Sequence, residues 1–151
     1  MTTRSQKRRL LQAGAAGLTL TIFASAGRLF STKNEISVDV LVFNYLARPI
    51  WDVYLNEVMI GGSASLSDSP YGQFSTVAGV TVANGLQKLT WRLGGPGGTP
   101  HNGDTVVAGN PIHVLVEDLP KYIEALGVHT YPDYTAELIF SDEMPPKARA
   151  D

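Results

Sequence analysis

An all-β, mainly antiparallel fold is what this sequence predicts, closed as a β-sandwich or small barrel of about seven strands with one short helical turn. Three observations carry that expectation. Apolar residues recur at every second position through most of the chain after residue 34, helical periodicity is almost absent, and Gly, Pro and Asn punctuate the apolar runs. At 151 residues, 44% apolar and 17% charged, the chain has the size and composition of one globular domain.

Residues 1–26 read as an address label. Arg4, Lys7, Arg8 and Arg9 form a cationic head, Leu10 to Ala24 is apolar apart from Gln12, Thr19, Thr21 and small residues, and "ASA" at 24–26 offers a cleavage site. The expectation is a secretory signal peptide and a periplasmic protein, exported by the general Sec route. Arg8-Arg9 before "LLQAGAAG" also resembles a twin-arginine signal. The alternative is an uncleaved inner-membrane anchor, since Leu10 to Gly27 reaches the lower limit of a bilayer span.

Residues 27–34 read as a linker, 35–143 as the domain and 144–151 ("MPPKARAD") as a flexible tail. From Glu35, Ile36, Val38, Val40 and Val42 alternate with Ser37, Asp39, Leu41 and Phe43, which is a half-buried strand. "IWDVYLN" follows with Trp51, Val53 and Leu55 assigned to one face, "NE" as a tight turn and "VMI" as the return of a hairpin. "GQFSTVAGVTV" is extended. "LQKLTWRL" sends Leu89, Trp91 and Leu93 inward and Lys88, Thr90 and Arg92 outward, and Ile112, Val114 and Val116 repeat that period. "EDLPKYIEAL" holds the one helical turn, capped by Asp118 with Pro120 in its first turn. "ALGVHTY", a "PDY" turn and "TAELIFS" close the domain as a hairpin.

Composition removes several chemistries. With no cysteine there is no disulfide, thiolate metal site, cysteine nucleophile or lipidated N-terminal cysteine. Four of the twelve basic residues and none of the fourteen acidic ones lie in residues 1–26, so the processed chain carries −6. That charge disfavours nucleic acid and suits a basic partner surface. The Gly-rich stretch "GGPGGTPHNGD" lacks the Lys-Ser or Lys-Thr and the following helix of a phosphate cradle, and reads as a mobile loop between strands. Ser63, Ser65, Ser67 and Ser69 have no nucleophile elbow around them, and Asp39, Asp52, Asp133 and Glu137 show no spacing that pairs them. His101, His113 and His129 make no local metal motif. No catalytic residue, cofactor or metal site is therefore assigned.

"FNYLARPIWDVYLN" at 43–56 is the most unusual segment. Its Tyr and Trp suit a core and its Arg-Pro a turn, while Tyr, Trp and Arg also dominate protein interfaces when exposed. Together with "GGSA", "GQFSTVAGVTV", "LTWRL" and "VHTYPDYTAELIFSD" it resembles, in order and spacing over Phe43 to Ser141, the bacterial domain-of-unknown-function family numbered 3304. Asn44, Tyr45, Arg48, Pro49, Ile50, Tyr54 and Asn56 match that family's first motif, Gly61 and Gly62 its glycines, Phe74 its Gly-x-Phe segment, Trp91 its third motif and His129 its last. The cysteine pair and lipidation cysteine common in that family are absent here, with Ser75, Thr76 and Val77 near the former position.

The resemblance implies a small exported domain without catalysis, in the context of immunity partners of secreted, phospholipase-like antibacterial effectors of type VI secretion. The leading expectation is a periplasmic binding protein that occludes such a lipase-like effector, with Arg48, Trp51, Tyr54, Tyr71 and His101 as protein-binding residues. Two alternatives stand beside it: an envelope-associated structural module held by its N-terminus, in contact with a membrane only if that segment stays uncleaved, and a metal-dependent hydrolase using His101, His113 or His129.

Overall fold

The computed structural model describes residues 34–65 and 75–143. The expected signal segment 1–26, residues 27–33 of the expected linker, Tyr71, Phe74 and the expected tail 144–151 lie outside the described residues. Among the described residues the chain forms β1 (Glu35–Asn44), β2 (Ile50–Leu55), β3 (Val58–Ser63), β4 (Thr76–Ala83), β5 (Gly85–Gln87), β6 (Leu89–Leu93), β7 (Thr105–Val107), β8 (Ile112–Val114), β9 (Ala125–Thr130) and β10 (Ala136–Ser141). One four-stranded sheet runs β10-β9-β1-β4, a second runs β3-β2-β6-β7, and β5 pairs with β8 in a short ribbon. The fold is the mainly antiparallel β-sandwich that the alternation predicts. Its one parallel pair among these strands is β1 with β9.

Alternation explains the core. Ile36, Val38, Val40 and Val42 of β1 face Val53 and Leu55 of β2, Ile60 of β3 and Leu89, Trp91 and Leu93 of β6, all buried in one cluster. Trp91 is wholly buried, its ring meeting Tyr134 edge-on at 6.4 Å between centroids. Truncation of such a residue typically costs about 3–5 kcal/mol, so the inward phase of β6 holds the two sheets together. β1 is buried on both sides: Leu41 and Phe43 pack with Ala125 and Tyr45 on the opposite face of the first sheet.

Turn chemistry fixes the connections. In the β2–β3 hairpin Asn56 and Glu57 both take positive φ (49° and 72°), the geometry of a type I′ turn. Asn56 also accepts from the Lys88 amide and donates to Gln87, tying the hairpin to the β5–β6 junction. In the β9–β10 turn, Asp133 accepts from the Thr135 amide and hydroxyl, which holds its carboxyl below its ordinary pKa. Wholly buried Asn44 ends β1, accepting from the Leu46 amide and donating to the Arg48 carbonyl at 2.8 Å. That side chain sets the path of the 45–49 link.

Four expectations are corrected. The helical turn is a 3₁₀ turn at Val116–Asp118, upstream of the expected one; Asp118 ends it, and Leu119 is extended (φ −74°, ψ 154°), as the residue before Pro120 is driven to be. Val116 therefore does not extend β8, although it still packs on the core. The described residues form ten strands rather than about seven, because "LQKLTWRL" breaks at Lys88 into β5 and β6 and because "TVV" forms β7. Trp51 does not share the inward face of Val53 and Leu55. A register shift between Ile50 and Asp52 leaves Trp51 as an extra residue opposite β6, so Ile50, Val53 and Leu55 point inward while Trp51 is 46% exposed.

The bulge depends on a glycine across the strand pair. A Cβ on Gly62 would overlap the Trp51 carbonyl and sit 3.0 Å from the Ile50 carbonyl, both backbone atoms with little room to move. Gly62→Ala is expected to lower unfolding stability by about 2–3 kcal/mol or more in a urea titration, whereas Gly97→Ala, with open space around it, changes it by less than about 0.5 kcal/mol.

Candidate functional site

The bulge turns Trp51 outward onto the open face of the second sheet. Strand register aligns side chains there in rows. Met59, Tyr54, Thr90 and Val107 are successive partners across β3, β2, β6 and β7, and Asp52, Arg92 and Thr105 form the next row. Arg92 pairs with Asp52 and lies over the Trp51 ring, 5.3 Å from its centroid. Met59 and Val107 are more than half exposed and Tyr54 is half-buried. An open groove of about 460 Å³ adjoins Trp51, between Pro49–Trp51 on one side and Gly62–Ala64 with Ser75 on the other.

The Gly-rich stretch connects β6 to β7 and is extensively bonded rather than featureless. Gly103 donates to the Leu93 carbonyl, Asn102 to those of Gly95 and Pro96, and Thr99 to that of Pro96. Arg48 fastens the loop from outside, its Nε on the Gly94 carbonyl and a terminal nitrogen on that of Pro100, each at 2.9 Å. Glycine at 94 leaves room for Trp51 to lie against it: a Cβ there would stand 2.5 Å from the indole Nε1, so the ring would have to shift. His101, with φ 59°, pairs its Nδ1 with Asp104 at 2.9 Å in full solvent.

Of the residues expected to bind a partner, Arg48, Trp51 and His101 are thus gathered around one loop, and Tyr54 lies on the adjoining sheet face; Tyr71 is outside the described residues. Sequence reasoning missed Arg92, Asp52, Met59 and Val107 as members of that face. Alternation marks Arg92 as outward, but only register places it on Trp51.

The other face of the first sheet carries an aromatic stack. His129, wholly buried, lies flat on Phe43 with ring centroids 4.5 Å apart, Tyr45 stacks on His129 at 5.8 Å, and Tyr131 on Tyr45 at 5.3 Å. The Tyr45 hydroxyl reaches His129 Nδ1 at 3.2 Å, and the Tyr131 hydroxyl donates to Glu137. Burial strips water from the imidazole and pushes its pKa down to about 4, against a smaller upward pull from Glu137. A neutral, enclosed ring of this kind serves packing. His113 is exposed on β8, His129 buried on β9 and His101 in the loop, and among the described residues no three His, Asp or Glu side chains converge as metal ligands. No helix among the described residues is long and apolar enough to cross a membrane.

Two predictions follow from these contacts. Because folded His129 resists protonation that the unfolded chain accepts near pH 6.5, stability is complete above that pH and falls as pH drops toward 4. Urea unfolding should lose about 2 kcal/mol between pH 7 and pH 5, and His129→Phe, which keeps the stack, should remove most of that slope. Gly94→Ala should cost about 1–3 kcal/mol and displace the indole, read as a change in Trp51 emission in a Trp91→Phe background.

No protein-family model, no curated protein and no solved structure matches the chain.

Proposed function

We propose that the chain is a non-catalytic, exported binding protein that presents the outer face of its second sheet and the 94–104 loop to another protein. The observation that carries this reading is the exposed Trp51, braced by Arg92 and Gly94, beside Tyr54, Met59 and Val107 on one continuous strand surface. Trp, Tyr, Met and Arg are the residue types enriched in interface cores and hot spots. A stable complex needs about 800 Å² per partner, the scale of one sheet face with its loops. In its specific form the proposal is an immunity-type role in the periplasm, one-to-one occlusion of a secreted phospholipase-like effector. The processed charge of −6 favours encounter with a basic partner surface.

The test is affinity capture with the exported chain as bait, against lysate containing the products of neighbouring genes. Retention of one lipase-like protein at one-to-one stoichiometry is expected, with Trp51→Ala and Tyr54→Ala each weakening it about tenfold or more at unchanged melting temperature, and His113→Ala leaving it intact. A folded bait that retains nothing overturns the effector assignment. Capture indifferent to Trp51 and Tyr54 overturns the face.

A further inference from the structure

We infer that the free edge of β7 is where the bound protein joins the second sheet, entering as an extended, uncharged segment that adds a fifth strand beyond Thr105–Val107. In the order β3-β2-β6-β7 this strand is terminal. The Leu93 amide donates to the Asp104 carbonyl and the Ala108 amide to the Leu89 carbonyl, so by alternation residues 104, 106 and 108 are the ones bonded to β6. Thr105 and Val107 turn their amides and carbonyls the other way. Among the described residues no hydrogen bond reaches those four groups, and both residues are exposed.

The other three edges of the two four-stranded sheets each carry a closing device. On β3 the Ser75 hydroxyl occupies both the amide and the carbonyl of Gly62. On β10 the Asn110 side chain does the same for Ala136, accepting at 2.8 Å and donating at 2.9 Å. β4 is bent by a bulge opposite Asp39, where Gly79 takes φ 69° and gives its amide to the Asp39 carboxylate. Such devices keep a sheet from pairing with other chains. β7 has none of them: "TVV" carries no Lys, no Pro and no register shift against β6.

The chemistry of the added strand follows from what surrounds the edge. Asp104 is the only Asp, Glu, Lys or Arg from residue 93 to residue 116, so the segment that pairs here is uncharged along its length and carries Lys or Arg at the end beside Asp104. The stretch 104–108 offers five residues, an ordinary strand length. Val107 ends the row of Met59, Tyr54 and Thr90, so an added strand sets its side chains beside Val107 and continues the face that holds Trp51. Main-chain pairing supplies affinity with little demand on sequence, and the side chains of the face supply the choice of partner. The edge deepens the binding-protein reading and rests on it for the identity of the added strand, yet its capacity to pair is testable without that partner.

The experiment is titration of the exported chain with the peptide acetyl-Lys-Thr-Val-Thr-Val-amide, followed by backbone amide NMR, with the same peptide N-methylated at every residue as the control that cannot pair. Saturable shifts centred on the Thr105 and Val107 amides are expected, at least about tenfold weaker with the methylated peptide. Thr105→Pro removes an amide that β6 does not use, so it should abolish the response at nearly unchanged melting temperature, whereas Val106→Pro breaks the ladder and should lower that temperature. In the captured complex the Thr105 and Val107 amides should become protected from hydrogen exchange. No saturable response, equal response to the two peptides, or shifts centred on β3, β4 or β10 would each overturn the proposal, as would protection that grows with the concentration of the chain alone, which assigns the edge to a second copy. A positive titration with nothing captured rejects the partner and retains the edge. Capture that tolerates Thr105→Pro and leaves both amides exchanging freely rejects the edge and retains the binding protein.

Discussion

The close backbone approach between Gly62 and the Trp51 carbonyl is the constraint on which the rest of the second sheet depends. It lets β2 carry one residue more than β6 can match, and that extra residue reverses the phase of the strand. Ile50, Val53 and Leu55 then fill the core while the indole is turned out against Gly94, where the β6–β7 loop begins. A second approach, at Gly94, lets the loop lie beneath the ring. Two missing Cβ atoms thus convert a potential core tryptophan into a surface platform, and Arg48 and Arg92 secure it from either side by carbonyl anchoring and by stacking.

Much of the architecture was legible from the residues because burial on a pleated strand repeats every second position. The inward trio Leu89, Trp91 and Leu93, the outward Lys88 and Arg92, the "NE" turn and the "PDY" hairpin all follow from local pattern and turn chemistry. Trp51 was misassigned because a bulge is a property of two strands, and its signal, Gly62, lies on the partner rather than beside it. β5 and β7 were missed or merged because a three-residue strand is too short to show a period. For the site, residue type nominated Arg48, Trp51, Tyr54 and His101, but the pairing of Asp52 with Arg92 arises only from register.

The two faces of the molecule divide the polar aromatic chemistry between them. On the first sheet Phe43, His129, Tyr45 and Tyr131 are stacked, with the Tyr45 hydroxyl on His129 Nδ1 and the Tyr131 hydroxyl on Glu137, so histidine there behaves as a flat core residue that is sensitive to acid. On the second sheet Trp51 and Tyr54 stand among side chains that leave much of their surface to solvent. A ring buried by its own chain contributes to folding, and a ring left open is available to another molecule, which is why the second face supports the binding reading.

The parallel pairing of β1 with β9 carries a consequence for how the chain is made. β1 is the first described strand and sits at the centre of its sheet, yet the neighbour that completes it arrives only after β2 to β8 have been synthesised. The closure of so long a loop costs chain entropy before any contact repays it, and folds dominated by such distant pairings mature in roughly milliseconds to seconds rather than microseconds. During that interval the valine-rich β1 has an unpaired edge. With this topology the first sheet cannot be completed until the last third of the chain is available.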